Sequence, residues 1–132
     1  MNEIYQAALA YTARGWLVFP LHTIVQGECT CGLAGCPDAG KHPRTPNGVK
    51  DASRDEVLLR GWFGDGAPPS NIGIATGERS GLTVVDIDMG TGKFGAESWA
   101  AIVAEGGEPD LGRHLGPRRP PLRAPVWRFP VP

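Results

Sequence analysis

All three cysteines of this chain fall between residues 29 and 36, inside a stretch without hydrophobic periodicity. Residues 22–50 hold glycine, proline, cysteine and histidine in place of an apolar repeat. A loop this long in a small domain is usually functional or mobile. Cys29, Cys31, Cys36 and His42 lie within the run CTCGLAGCPDAGKH. Three thiolates and an imidazole form a complete tetrahedral zinc set. Ligation would supply the folding energy that the loop's own pattern lacks. Gly32, Gly35, Pro37 and Gly40 permit the sharp turns such a site needs. The spacing Cys29-x-Cys31 is tighter than usual for zinc. The competing reading is a set of unpaired thiols in a mobile loop, with His42 on the surface. His22 is either a substitute ligand or a cap on the preceding strand. Four protein ligands leave no open position, so the expected zinc is structural rather than catalytic.

An odd, clustered cysteine count argues against a secreted disulfide framework and for a reducing, cytoplasmic setting. The first residues, MNEIYQAALAYTARG, lack a basic leader followed by an apolar run, so no secretion signal is expected. No apolar run approaches the roughly 20 residues of a membrane span, and no membrane partner is expected. A length of 132 residues suits one domain, and 41% hydrophobic residues suffice for a core. The net charge of −1 gives no global signature of nucleic-acid binding, although a local basic groove remains compatible with it. Charge is unevenly placed. Residues 107–132 carry seven prolines and five arginines against two acids, a net +3, whereas residues 1–106 carry 8 basic and 12 acidic side chains, a net −4. That shift marks a boundary near residue 109.

Local patterns supply the elements. Residues 3–14 read as a helix with Asn2 as N-cap and Gly15 as stop. Trp16 to Leu21 is an apolar run of strand length. Ser53 and Glu56 are spaced as a capping box, and Val57, Leu58 and Trp62 then form the apolar side of a helix ending near Phe63. Residues 71–76 and 81–88 read as strands joined by a tight turn at Gly77 to Ser80. Phe94 to Glu105 reads as a helix with Trp99, Ile102 and Val103 on one side. This order defines an α+β fold rather than a regular βαβ winding.

The strand ending Val84-Val85-Asp86-Ile87-Asp88 carries the main catalytic signal. Residues two apart on a strand share a face, so Asp86 and Asp88 would aim two carboxylates at one spot. Paired carboxylates suit a hard divalent ion, Mg²⁺ or Mn²⁺, that also takes phosphate oxygens. The alternative is a solvated strand end favouring the turn at Met89-Gly90. Lys41 and Arg44 flank His42 and are candidates for nucleotide or DNA phosphates, or else ordinary solvated charge. Gly90-Thr91-Gly92-Lys93 is not a phosphate loop: the glycine spacing is wrong, and Phe94 stands where Ser or Thr is required.

Taken in order, these segments resemble a known family. They are Ala8-Leu9-Ala10-Tyr11 through Arg14-Gly15-Trp16, Val18-Phe19-Pro20-Leu21, the cysteine loop ending Gly40-Lys41-His42-Pro43-Arg44, Asn71 through Gly77, and the Asp86-Ile87-Asp88 strand. The set is similar to the N-terminal domain of bifunctional DNA primase/polymerases, the prim-pol proteins of plasmids, phages and integrated elements, over about residues 5–106. The resemblance implies a primase/polymerase-type core with an RNA-recognition-like sheet and a zinc-loop insert. It implies nucleotidyl transfer from nucleoside triphosphates on a single-stranded DNA template, with a replicative helicase as further domain or partner. Asp86 and Asp88 match the family's metal-binding acids. Cys29, Cys31, Cys36 and His42 match its cysteine-rich insert.

The family pattern continues with a Gly-Gly-x-His strand and a third acid. Residues 111–126 do not read as that strand, His114 has no Gly-Gly before it, and Asp110 precedes the expected position of the acid. Read one nucleotide later, the codons of Leu111 to Arg123 can spell Gly-Gly-x-His. The expectation is therefore a partial domain over 1–108, containing a metal-binding loop at 22–50, and an aberrant Pro/Arg-rich tail at 109–132. A catalytically inactive, zinc-stabilised nucleic-acid-binding remnant is the alternative function.

Overall fold

A computed structural model describes residues 2–106 and the backbone of 127–130. The tail reading, with Asp110 and His114, otherwise lies outside the described residues. The chain divides into two compact units, residues 1–80 and 81–132.

In the first unit, α1 (Glu3–Ala13) starts at Asn2, whose side chain accepts from the Tyr5 N–H at 2.8 Å. The same side chain donates to the Phe63 carbonyl at 2.9 Å, at the end of α2 (Glu56–Phe63). One asparagine therefore caps one helix and fixes the end of the other. The N-cap of α2 is Asp55 rather than Ser53. Asp55 accepts from the Val57 N–H at 2.8 Å, and the Ser53 hydroxyl accepts from the Asp55 N–H. Ser53 is held back because its backbone bonds in both directions to Val18. The buried face of α2 is also different from the expected one. Leu59 and Phe63, four residues apart, are fully buried, whereas Val57 and Leu58 are exposed. Tyr5, Ala8 and Val18 close that core with them. Burying a Leu or Phe side chain contributes about 1.5–3 kcal/mol.

The strand β1 (Val18–Leu21) pairs antiparallel with β4 (Asn71–Ile74), in the register Val18↔Ile74, Phe19↔Gly73, Pro20↔Ile72 and Leu21↔Asn71. Phe19 points to a second small core with Ala52 and Ala75. Between β1 and β4 the chain forms a short hairpin, β2 (Ile24–Val25) with β3 (Glu28–Cys29), and a 3-10 turn at Gly48–Asp51. The Gly77 to Ser80 turn is present, and Arg79 donates from it to the carbonyls of Val49 and Ala52. The strands on either side of that turn each take a different partner, so they do not form a hairpin with one another.

In the second unit, β5 (Leu82–Val85) pairs antiparallel with β6 (Trp127–Pro130) and is followed by α3 (Gly95–Gly106). No residue of α3 is buried; Trp99 and Val103 are half-buried and Ile102 is exposed. The whole is helix with small antiparallel ladders, an α+β arrangement. Among the described residues no helix is long and apolar enough to cross a membrane.

Gly73 is required by contact, not by backbone angle. A Cβ there would stand 2.6–2.9 Å from three atoms of the Phe19 ring. Gly73→Ala is expected to destabilise the protein by about 1–3 kcal/mol through overpacking. Urea unfolding should show a lower midpoint at unchanged slope, and an unchanged midpoint would contradict the contact.

Candidate metal centre

The β2–β3 hairpin presents the first ligand. Its two-residue loop is Gln26-Gly27, with φ of 51° and 81°. Both positive values match the primed turn that fits strand twist. Gln26 is the single non-glycine with positive φ among the described residues. Cys29 closes the hairpin opposite Ile24 and is buried. The chain then turns back at once. The Gly32 N–H donates to the Cys29 carbonyl at 3.2 Å, and the Leu33 N–H reaches the Cys31 sulfur at 3.4 Å. This tight knuckle accommodates the short Cys29-x-Cys31 spacing.

His42 enters from the far side of the loop. Its carbonyl accepts from the His22 N–H at 2.8 Å, Pro43 bridges to Leu21, and the Arg44 N–H donates to the Pro20 carbonyl. Those bonds tie the loop's exit to β1. One ligand atom from each of Cys29, Cys31, Cys36 and His42 lies within 4.8 Å of every other. Nε2 of His42 is 3.6 Å from both the Cys29 and Cys36 sulfurs. Metal arms of 2.3 Å to sulfur and 2.0–2.1 Å to nitrogen, at the tetrahedral angle, span about 3.6 Å. The residues therefore fit zinc in size, donor type and number. The loop glycines support this shape, with Gly32, Gly35 and Gly40 all at positive φ.

His22 is not one of the four. Its ring lies 4.5 Å from that of His42, and its Nδ1 is 3.0 Å from the Thr30 hydroxyl. Burial, then the nearby His42 and Arg44, holds its pKa below the ordinary value. The thiols differ among themselves. Backbone N–H groups of Cys31 and Gly40 stabilise the Cys29 thiolate and bring its pKa down to about 6. Burial, reinforced by the neighbouring sulfurs, pushes Cys36 up.

The other candidate residues are placed as follows. Asp86 and Asp88 lie beyond the end of β5, because the ladder with β6 stops at Val85↔Trp127. Both are exposed and flank the buried Ile87. Asp88 faces the Lys93 ammonium at 3.4 Å, and its carbonyl accepts from the Gly95 N–H at 3.1 Å. The GTGK segment is a turn, closed by the Lys93 N–H on the Gly90 carbonyl. Lys41 is exposed. Arg44 is half-buried, with its guanidinium on the Ser70 hydroxyl. Sequence reasoning missed the Gln26-Gly27 hairpin and the network of Thr23, Thr30 and Asn71 behind the knuckle. Gly27 was the available turn signal, but strands of two residues show no periodicity.

The family model for the N-terminal domain of bifunctional DNA primase/polymerases matches residues 8–126, and the chain belongs to that family. The match includes the cysteine loop and both acids. No curated protein and no solved structure matches the chain.

The folded Cys29 pKa lies below its unfolded value. The stability this supplies is therefore complete above the ordinary thiol pKa and lost as pH falls through about 6. In chelator-treated protein, thiolate absorbance at 240 nm should show one group forming near pH 6. Cys29→Ser should remove that step, and a single joint transition of all thiols at the ordinary value would contradict the assignment.

Proposed function

From membership of the family we infer a primase/polymerase-related function and general binding of nucleic acid and nucleotides. We propose that the protein is the catalytic primase/polymerase domain itself, extending a strand from nucleoside triphosphates on single-stranded DNA. The observation that carries this reading is the pair Asp86 and Asp88, exposed on either side of buried Ile87 where β5 ends. The exposed–buried–exposed pattern over Asp86, Ile87 and Asp88 is the one a strand would give, and on a strand both carboxylates would point to one side. These two residues would hold Mg²⁺ or Mn²⁺. Such ions supply charge neutralisation at the triphosphate and activation of the attacking hydroxyl.

The chain's own contribution is placement. The Gly90 and Gly92 turn brings Lys93 back to Asp88, keeping one acid paired and oriented. Gly95 lets the backbone of α3 approach the Asp88 carbonyl, where a Cβ would collide with that oxygen. Arg44 is engaged by Ser70, and exposed Lys41 is the more accessible of the two to a phosphate. The Cys/His set takes structural zinc and shapes the loop from which Lys41 projects.

A second reading, a zinc-stabilised nucleic-acid-binding module without turnover, is favoured by a different fact. The Cys/His set is the one group of three or more metal-ligating side chains among the described residues. Primer synthesis on single-stranded DNA with Mn²⁺ or Mg²⁺ separates the two. On the first reading Asp86→Asn and Asp88→Asn each lose several kcal/mol of transition-state stabilisation, about a hundredfold or more in rate. Product formed equally by the double variant would end the assignment of these acids. Salt-sensitive binding with no product from the unaltered chain would establish the second.

A further inference from the structure

We infer that Asn71 is the positioning residue of the metal knuckle, joining it to the β1–β4 ladder through three hydrogen bonds. The inference rests on the reading of Cys29, Cys31, Cys36 and His42 as a zinc site. Asn71 opens β4 and pairs with Leu21 at the end of β1. Its side chain is half-buried and faces the loop. The amide nitrogen donates to the Gly40 carbonyl at 2.9 Å and, more weakly, to the His22 carbonyl at 3.4 Å. The amide oxygen accepts from the Thr23 hydroxyl at 3.2 Å. One side chain thus engages both arms of the loop, its entry at His22-Thr23 and its return at Gly40.

Gly40 makes the connection to the ligands. Its N–H donates to the Cys29 sulfur at 3.5 Å, while its carbonyl is the group that Asn71 holds. It lies between Cys36 and His42 at a φ of 71°. A Cβ there would press on Ile24 at 3.2 Å and touch the Asn71 amide at 3.6 Å, so this position suits glycine on both counts. The His22 N–H in turn fixes the His42 carbonyl. Asn71 touches no ligand atom. It sets the position of two peptide groups that do set ligands, as outer-shell partners of metal sites do.

Both amide functions are needed, and that gives the variants distinct outcomes. Asn71→Asp keeps the shape and the acceptor for Thr23. It removes both donated bonds and sets a carboxylate against two carbonyls. Asn71→Ala removes everything. Thr23→Val removes one bond only.

The test is titration of the full chain with Co²⁺, followed by its sulfur-to-cobalt and ligand-field bands, and competition with Zn²⁺. Circular dichroism confirms folding at the same temperature. Asn71→Ala is expected to weaken zinc binding about tenfold or more, Asn71→Asp at least as much, and Thr23→Val about threefold. The tetrahedral spectrum at saturation should persist in all. If the folded Asn71 variants bind metal as tightly as the unaltered chain, with only thermal stability reduced, the residue is merely structural and the inference fails. If Asn71→Ala does not fold, Thr23→Val decides, and unchanged affinity overturns the proposal. An unaltered chain that takes up no cobalt overturns the zinc reading and this inference together.

Discussion

Val18 to Leu21 form a strand used on both edges and both faces. One edge carries the β4 ladder, and the other meets Ser53 and Pro43 through single bridges. Val18 faces the core of Tyr5, Ala8, Leu59 and Phe63, and Phe19 the small cluster with Ala52 and Ala75. An apolar strand buried on both sides must be covered by separate elements on each. In this unit α1 and α2 cover the Val18 face, and the segment through Ala52 covers the Phe19 face. The close approach of Phe19 to Gly73 lets the ladder and the second core coexist.

The cysteine loop depends on the same strand. It leaves from the end of β1 and returns to it through Arg44 and Pro43. The four ligand positions come from three different local structures: the close of a hairpin, a knuckle, and a return segment fixed by His22. None of these has enough apolar surface for independent stability, and a two-stranded hairpin is marginal by itself. A metal bound by the four clustered donors would make them one structure. The thiols are unequal because the Cys31 and Gly40 N–H groups converge on Cys29, whereas at Cys36 burial and the neighbouring sulfurs outweigh the Asp38 N–H.

The second unit places chemistry on less structure. Asp86 and Asp88 stand past the last ladder pair, held by a glycine turn and by the Asp88–Gly95 backbone bond. Both are exposed, with Ile87 buried between them. The family that the chain belongs to gives this pair its chemical interest, and exposure leaves both carboxylates accessible to a cation and a phosphate.

The chain's own pattern determined where most elements lie. Asn2 as a cap, the apolar run at 16–21, the helix ending at Phe63 and the grouping of Cys29, Cys31, Cys36 and His42 were all legible, because each is a local signal or a residue type with few alternatives. Tertiary structure decided the rest. Ser53 has the chemistry of an N-cap, but its backbone is engaged by Val18, so the helix starts at Asp55. Val57 and Leu58 are as apolar as Leu59, but only the Leu59–Phe63 stripe meets a partner surface. The turn at Gly77 and the strands on either side of it were legible, but their partners were not, since a turn fixes a change of direction while ladder partners are fixed by packing. Asn71 shows the limit most clearly: nothing local distinguishes it, and its role exists only because β4 returns beside both ends of the cysteine loop.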